Sequence, residues 1–348
     1  MPIMSYPGLN ILGKTVFEMV TDGEAQYESL KTLSDRYPTV GCATLVMALY
    51  VEAEAFGSEI NYSQNEIPTV SKRLINSFSS LASIKVPEIG EGKTCEHLKA
   101  AKLAVENITD RPVFGGIIGP YSLAGRLYDI TEMMAAILIE PEGSHELLNV
   151  CTDFLKDYAM AFKDAGCNGI IIAEPAAGLL AESECNEFSS IYIKQIVDHV
   201  QDENFIVVLH NCGNTVNLVN SMLSTGSAGF HFGNAVDMVD ILPQVSSDRL
   251  VFGNLDPAGV IKDGSPEIIR AETLELLNKT ASFKNFVLSS GCDVPPDTKL
   301  ENIDAFFNAL NEYNEGQLKS IEADFSSHVE SELLEREILC WDNSLSVA

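Results

Sequence analysis

The sequence is poor in positive charge. It contains 22 Lys and Arg residues against 50 Asp and Glu residues, which gives a formal net charge of −28 at pH 7. A protein of this sign is repelled by nucleic-acid phosphates and by anionic membrane surfaces, so neither is expected as a partner. The chain also lacks any apolar run close to the ~18–20 residues that a membrane-spanning helix requires.

Signals for secretion and for several cofactors are missing as well. Residues 1–14 contain no basic stretch followed by an apolar one, so no secretory signal is expected. The eight cysteines are spread along the chain without the spacing of a disulfide framework, which predicts a cytoplasmic protein with reduced thiols. No Gly-rich dinucleotide fingerprint opens a first helix, and the glycines at 115, 116 and 119 are not followed by the Lys-Ser/Thr pair of a phosphate-binding loop.

An alternation of apolar runs and helical patterns is present instead, most regularly after Arg111. This rhythm indicates βαβ units with parallel strands, and we predict an α/β fold of the (β/α)8 TIM-barrel type in a single domain. An eighth strand would have to come from the connector before residue 87, and a doubly wound open sheet is the alternative. The seven strands predicted directly span residues 40–47, 112–119, 169–175, 205–210, 228–232, 250–256 and 286–292.

Two further segments flank this pattern. Residues 11–36 have helical periodicity and predict an N-terminal helical extension of a barrel domain that spans residues 1–316. Residues 317–348 form an acidic C-terminal tail with an apolar set spaced like one helix face, so a helical or partly ordered tail is expected. That face could pack on the barrel or on a partner subunit, and the second arrangement would make the protein a homo-oligomer.

Polar side chains follow the predicted strands where each strand ends. His210 and Cys212 are two residues apart on an extended segment, so their side chains project to the same side. Cys292 follows a later apolar strand in the same way. One imidazole and two thiols form an open zinc-ligand set, with three protein ligands and a fourth position for substrate. Soft sulfur ligands favour Zn²⁺ over hard cations.

Other candidates at the strand ends carry weaker signals. Glu174 could be a reserve ligand, a substrate contact or a structural hydrogen-bond acceptor, and Asp256 leaves the same choice open. His231 is expected to support the site or to pack, and Arg126 to lie on a helix in an ion pair. The remaining polar candidates at the mouth are Tyr121, Ser122, Asn234 and Asn254.

Residues ~11–315 resemble the uroporphyrinogen decarboxylase superfamily, whose members are (β/α)8 barrels. Within it the sequence is similar to the zinc-dependent methylcobamide:thiol methyltransferases, of which the coenzyme M enzymes are the known type. The decarboxylase branch relies on an Arg-rich N-terminal segment, whereas residues 1–13 contain no Arg here. The resemblance rests on residues 118–124 (IGPYSLA), 173–179 (AEPAAGL), 210–214 (HNCGN), 253–257 (GNLDP) and 290–296 (SGCDVPP).

The resemblance implies that His210, Cys212 and Cys292 hold zinc and that a methyl group moves between a corrinoid, carried by a small partner protein, and a thiol. Coenzyme M, homocysteine, another thiol or a pterin could be the acceptor, and the transfer could run in either direction. Tyr121, Ser122, Asn234 and Asn254 are then expected to bind the corrinoid, with catalytic roles for Glu174 and Asp256. A metal-independent decarboxylase-like lyase and a non-catalytic subunit that binds a corrinoid protein remain as alternatives.

Overall fold

The computed structural model describes residues 1–38, 41 and 43–319. Within this part of the chain, no helix is both long enough and apolar enough to cross a membrane. The predicted tail falls almost wholly on residues 320–348, which lie outside the described residues.

A parallel sheet organises the fold. Over the described residues it contains seven strands in the order β1-β4-β5-β6-β7-β8-β9, and every neighbouring pair is parallel. The strands are β1 Ala43–Thr44, β2 Ile60–Asn61, β3 Thr69–Val70, β4 Val113–Ile118, β5 Gly169–Ala173, β6 Ile206–Asn211, β7 Gly229–Phe232, β8 Leu250–Leu255 and β9 Phe286–Ser290.

Helices connect successive strands of the sheet, as the alternation in the sequence predicts. The helices are α1 Gly8–Leu12, α2 Val16–Thr21, α3 Gly23–Arg36, α4 Val51–Ala55, α5 Thr94–Asn107, α6 Pro120–Tyr128, α7 Ile130–Ile139, α8 Pro141–Asp164, α9 Glu182–Cys185, α10 Ile191–Val200, α11 Val219–Leu223, α12 Met238–Ile241, α13 Pro266–Thr280 and α14 300–319. Short 3-10 or π turns cover Phe78–Ser83, Pro175–Leu179, Asn186–Ser190, Val216–Leu218, Leu242–Gln244 and Pro257–Lys262.

The connector between α4 and α5 does not supply an eighth strand to this sheet. Its strands β2 and β3 pair antiparallel with each other in a separate two-stranded sheet. The prediction of an eighth strand there is therefore wrong for the described residues, because the connector's hydrogen bonds close a local hairpin. The seven-stranded sheet curls into a TIM-barrel-like half-barrel, and the doubly wound alternative is not needed.

The N-terminal helical segment is divided into three helices where one was predicted. Gly13 adopts a left-handed conformation (φ 66°) that ends α1. Thr15 and Glu18 then form a capping box that starts α2, and the Asp22 side chain caps the start of α3. Periodicity alone does not show these breaks, because the apolar positions continue in phase across them.

Alternate residues of the central strands serve two different cores. Ile170 and Ile172 of β5 pack towards the surrounding helices, whereas Ile171 belongs to a separate inner cluster with Val208 of β6. Both faces are therefore buried, as expected for strands of a parallel sheet covered by helices. Since side chains two apart share a face, the inner row of β6 continues from Val208 to His210 and Cys212.

The first residues of the chain lie along β9. The amino group of Met1 donates to the Leu288 carbonyl oxygen, and the Ile3 N–H donates to Ser290 Oγ over 3.1 Å. The Val294 N–H donates to the carbonyl oxygen of Ile3 over 2.9 Å. Ile3 is fully buried within the inner cluster, so this segment helps to fill the inside of the curled sheet.

A buried carboxyl group beside β4 makes the stability depend on pH. Glu52 is 1% exposed; its Oε1 accepts the Ile118 N–H over 2.9 Å, and its Oε2 has no hydrogen-bond partner within the described ranges 1–38, 41 and 43–319. Burial raises the pKa of Glu52 from 4.5 to about 7, although hydrogen bonds from backbone N–H groups act in the opposite direction. The folded chain therefore holds this proton more tightly than the unfolded chain does.

The free energy of unfolding of the wild type should consequently fall as pH rises from about 4.5 to about 7 through the contribution of Glu52. The Glu52→Gln variant has no ionisable group at position 52 and does not lose this contribution. Its free energy of unfolding, relative to that of the wild type, should therefore increase by up to about 3 kcal/mol as the pH rises across this range. Urea denaturation of both proteins at a series of pH values measures the difference. A difference that stays constant with pH would contradict this role of Glu52.

Candidate metal centre

The structure brings together the three residues predicted to bind metal. One ligand atom from each of His210, Cys212 and Cys292 lies within 4.8 Å of the other two. His210 is the second-to-last residue of strand β6, Cys212 directly follows that strand, and Cys292 follows the end of β9. His210 is 1% exposed, and the two cysteines are half-buried. Parallel strands place their carboxyl ends at one edge of the sheet, which explains how residues 80 positions apart meet there.

A chain of hydrogen bonds holds the His210 ring from behind. His210 Nδ1 lies 2.8 Å from Nδ1 of His231 and 3.2 Å from the His231 carbonyl oxygen. His231 Nε2 lies 2.8 Å from Ser289 Oγ, and the Ser289 hydroxyl donates to the carbonyl oxygen of Met1 over 2.5 Å. The pairing of β6 with β7 places His210 and His231 directly opposite each other.

This chain determines which nitrogen of His210 carries the proton. Ser289 donates its only hydrogen to Met1, so its oxygen must accept from the Nε2–H group of His231. Burial lowers the pKa of His231 well below its ordinary value, which keeps that ring neutral and leaves its Nδ1 as an acceptor. His210 Nδ1 is then the donor, so in the neutral His210 ring the unprotonated nitrogen is Nε2.

The free lone pair of His210 has no protein partner. His210 Nε2 is buried and makes no hydrogen bond in the described part of the chain. Leaving a polar atom buried and unpaired is costly, and such an atom calls for an explanation such as a bound ion. An imidazole lone pair beside two thiols is a donor set that suits zinc. The donors therefore fit the metal that the sequence predicts.

The two thiols are coupled to each other. The hydrogen bond from the Cys292 thiol is the main influence that lowers the pKa of Cys212, against the opposing effect of burial. The same contact raises the pKa of Cys292. This contact therefore favours the thiolate form of Cys212, and the thiolate is the form that binds metal.

Asn211, which the sequence analysis did not single out, fixes the turn between His210 and Cys212. Its Nδ2 donates to the carbonyl oxygen of Glu174 over 2.6 Å, and its Oδ1 accepts the Gly213 N–H over 2.8 Å. The side chain is 3% exposed. These contacts tie the turn to the end of the neighbouring strand β5, so Cys212 is presented from a rigid support. In the sequence, the only signal for this role of Asn211 is its position between two predicted metal ligands.

The His231 contact leads to a prediction about metal affinity. His231→Phe keeps a ring of similar size against Phe252, whose ring lies 6.3 Å away, but removes both hydrogen bonds. We expect the zinc affinity to fall about 10- to 100-fold, because the ring of His210 loses its shorter hydrogen bond, to His231 Nδ1, and keeps only the 3.2 Å contact with the carbonyl oxygen of residue 231. Competition with a chromogenic chelator measures this affinity. His145→Phe is the control, since His145 stacks on Phe188 outside the site, and an equal loss in both variants would contradict the prediction.

Glu174 has a structural role in the observed geometry. Its Oε2 accepts the N–H of Tyr121 over 3.0 Å and its Oε1 accepts the N–H of Ser122 over 2.6 Å. These are donors of the first turn of α6, so the buried carboxyl group anchors that helix end to β5. Burial raises the pKa of Glu174 to about 7. Gly119 is required beside it, because a Cβ there would lie 2.2 Å from Oε2.

The remaining candidates form two separate groups. Tyr121 is buried, and its hydroxyl group has no hydrogen-bond partner among the residues that the structure describes, while Ser122 Oγ accepts the Ala176 N–H over 3.1 Å. A cleft of about 390 Å³ elsewhere is lined by Asn234, Asn254 and Asp256 together with part of α13.

The side chains of two residues of this cleft form hydrogen bonds with the backbone of nearby loops. Asn254 Nδ2 donates to the carbonyl oxygens of Gly233 (2.9 Å) and Val236 (2.7 Å), which holds the loop after β7. Asp256 Oδ1 accepts the N–H groups of Ala258 and Gly259, both over 2.9 Å, and caps the following turn. Each side chain therefore supports the loop that carries it, and their roles towards a ligand remain predictions.

Comparison with known proteins places this geometry in a family. A family model described as uroporphyrinogen decarboxylase (URO-D) matches residues 5–313. The chain belongs to the uroporphyrinogen decarboxylase family. All nine candidate site residues lie inside the segment that matches this family.

Relatives with two different activities are similar to this member of the uroporphyrinogen decarboxylase family. The methylcobamide:CoM methyltransferase MtbA of Methanosarcina acetivorans is 27% identical over 308 residues, which are 84% of this chain and 86% of that protein. The uroporphyrinogen decarboxylase of Hydrogenovibrio crunogenus is 26% identical over 290 residues, 80% of this chain and 80% of that protein.

A solved structure confirms the fold of this uroporphyrinogen decarboxylase family member. The structure of a methyltransferase from Methanosarcina mazei superposes with a TM-score of 0.81 at 24% identity and covers 90% of this chain and 94% of that chain. The curled parallel sheet and its surrounding helices are therefore shared. The choice between the two activities has to come from the chemistry of the site.

Proposed function

We propose that this chain is a cytoplasmic, zinc-dependent methyltransferase that moves a methyl group between a corrinoid on a small partner protein and a thiol such as coenzyme M or homocysteine. One observation carries the proposal: two half-buried thiols and the unpaired Nε2 of His210 converge at the carboxyl edge of the sheet. The similarity to methylcobamide:CoM methyltransferases supports the same reaction class.

The residues of the chain would act mainly as ligands and as a rigid support. His210, Cys212 and Cys292 would hold zinc and leave a fourth position for the acceptor. Bound there, zinc would keep an acceptor thiol deprotonated at neutral pH, which supplies the nucleophile. His231 and Asn211 keep the ligands in place, and the apolar residues behind them, such as Val208, exclude water from the inner side.

The proposed methyl transfer is a nucleophilic displacement between the two substrates. The acceptor thiolate attacks the methyl group of the methylcobamide; a carbon–sulfur bond forms while the carbon–cobalt bond breaks, and its electron pair remains on the leaving corrinoid. Docking of the corrinoid over the strand ends would align the reacting atoms before the reaction. Tyr121, Ser122, Asn234 and Asn254 are the residues proposed to contact it.

An anaerobic turnover assay tests this proposal. Free methylcobalamin replaces the methylated partner protein, coenzyme M, homocysteine and a reduced pterin are offered separately, and loss of the methylcobalamin absorbance is followed together with formation of the methylated product. We expect turnover with a thiol. The lyase alternative, which the decarboxylase relatives favour, instead predicts turnover of a carboxylated tetrapyrrole and no demethylation of methylcobalamin.

A further inference from the structure

A second cavity opens at the same edge of the sheet, beside the metal cluster. It has a volume of about 400 Å³ and is lined by Ile118 at the end of β4 and by Pro175 and Ala176 just after β5. The metal ligand His210 belongs to β6, the next strand in the sheet after β5, and Cys212 directly follows that strand. Glu174, the residue before the lining residue Pro175, donates its N–H to the His210 carbonyl oxygen over 2.9 Å, which links the backbone next to the cavity to a metal ligand.

The charge of this cavity differs from that of the chain as a whole. Its lining contains the cations Lys72, Arg73 and Arg126 and only one carboxylate, that of Asp129. In the whole sequence acidic residues outnumber Lys and Arg by 50 to 22. The rest of the lining is mostly apolar, with Ser71 and Ser122 as the uncharged polar exceptions. The lining therefore carries more cationic side chains than carboxylates, which favours an anion over a cation as its ligand.

All charged groups of the lining except one already have partners. Lys72 pairs with Glu59 at 3.5 Å, and Arg73 pairs with Glu132 at 3.3 Å. The Asp129 carboxylate accepts two backbone N–H groups at the start of α7.

Arg126 is the exception. Its side chain is exposed and lines the cavity, and among the described residues it has no ion pair and no hydrogen bond, contrary to the ion pair expected from the sequence. Partial desolvation lowers its pKa, but a guanidinium group stays charged. Its five N–H donors have no protein acceptor among the described residues, so a planar or tetrahedral oxyanion entering the cavity can replace the water around them.

We propose that this cavity binds an anionic group (a sulfonate, carboxylate or phosphate) of one of the two small-molecule substrates, and that Arg126 is its principal ligand. The inference rests on the proposed function, because the adjoining metal cluster is taken as the reaction site. Either the acceptor thiol carries the anion, or the corrinoid supplies it through the phosphate of its nucleotide loop. The apolar wall would then contact the carbon chain next to the anion.

Binding can be measured without any reaction. Saturation-transfer difference NMR on the full-length protein as purified uses two thiol-free pairs of probes: propanoate with propanamide, and ethanesulfonate with ethanesulfonamide. We expect the anions to bind more tightly than their neutral partners. Arg126→Gln should weaken anion binding about 10- to 100-fold, and Arg126→Lys less, because a charge-assisted hydrogen bond is lost. Arg270→Gln, which removes an exposed arginine paired with Glu312, is the control.

Kinetics identify the source of the anion. Arg126→Gln should raise KM for 2-mercaptoethanesulfonate but not for 2-mercaptoethanol if the thiol carries it. If the corrinoid carries the anion, Arg126→Gln should instead raise KM for methylcobalamin but not for methylcobinamide, which lacks the phosphate. Anion binding that is unchanged in Arg126→Gln, or equal to that of the neutral probes, would overturn the proposal. Absence of methyl transfer with Arg126-dependent anion binding would instead reject the proposed reaction and keep the anion site.

Discussion

Replacement of Cys292 with serine is expected to lower the rate of methyl transfer about a thousandfold, equivalent to ~4 kcal/mol of activation free energy. Cys292 contributes one of the three donors of the metal cluster. A hydroxyl group is a far poorer zinc ligand than a thiolate, so the acceptor thiol would no longer be held deprotonated. Rates are measured with methylcobalamin and the preferred thiol, and circular dichroism checks that the fold is retained.

The matched control for this variant is Cys95→Ser. Cys95 is an exposed free cysteine of helix α5, so the same atom is exchanged far from the cluster. Its rate should equal that of the wild type. If Cys292→Ser kept the wild-type rate while remaining folded, the thiol would not take part in the reaction and the methyltransferase mechanism would have to be abandoned.

Replacement of Glu174 with alanine is expected to lower the free energy of unfolding by about 3 kcal/mol. The change leaves the N–H groups of Tyr121 and Ser122 without their acceptor in a buried place, where each unsatisfied donor costs ~1–3 kcal/mol. The wild-type carboxyl group also carries a desolvation penalty, shown by its raised pKa of about 7, and its removal offsets part of the loss. Urea denaturation measures the change.

Asp129→Ala is the comparison for the Glu174 variant. Asp129 also accepts two N–H groups at a helix start, but these hydrogen bonds are exposed, so a loss of about 1 kcal/mol is expected. Equal losses in the two variants would refute the buried anchor. A Glu174→Ala protein of normal stability that transfers methyl groups slowly would instead show that Glu174 contacts substrate.

The sequence predicts the strands of this fold well because their signal is local. The run Gly169–Ala173 is apolar on both faces, and a buried parallel strand requires that pattern. The proximity of Cys292 to His210 follows from the same reasoning, since parallel strands end at one edge of the sheet. The breaks between α1, α2 and α3 were missed because they depend on single capping residues rather than on periodicity.

Features that depend on contacts between distant segments could not be predicted in this way. The chain from His210 through His231 and Ser289 to Met1 joins residues up to 288 positions apart, and no sequence pattern records it. The cavity around Arg126 is closed in part by Ser71, Lys72 and Arg73 of the connector. The contribution of Lys72 and Arg73 to a cationic lining becomes visible only when the tertiary structure brings them beside α6.

The central claim, a zinc centre formed by His210, Cys212 and Cys292, is tested most directly by metal content. Zinc per chain is measured by mass spectrometry on the wild type and on Cys212→Ser, purified in parallel after zinc has been offered to both. The predicted result is close to one zinc per chain in the wild type and none tightly bound in the variant. A folded wild type that remains free of metal would contradict the account and favour the lyase alternative.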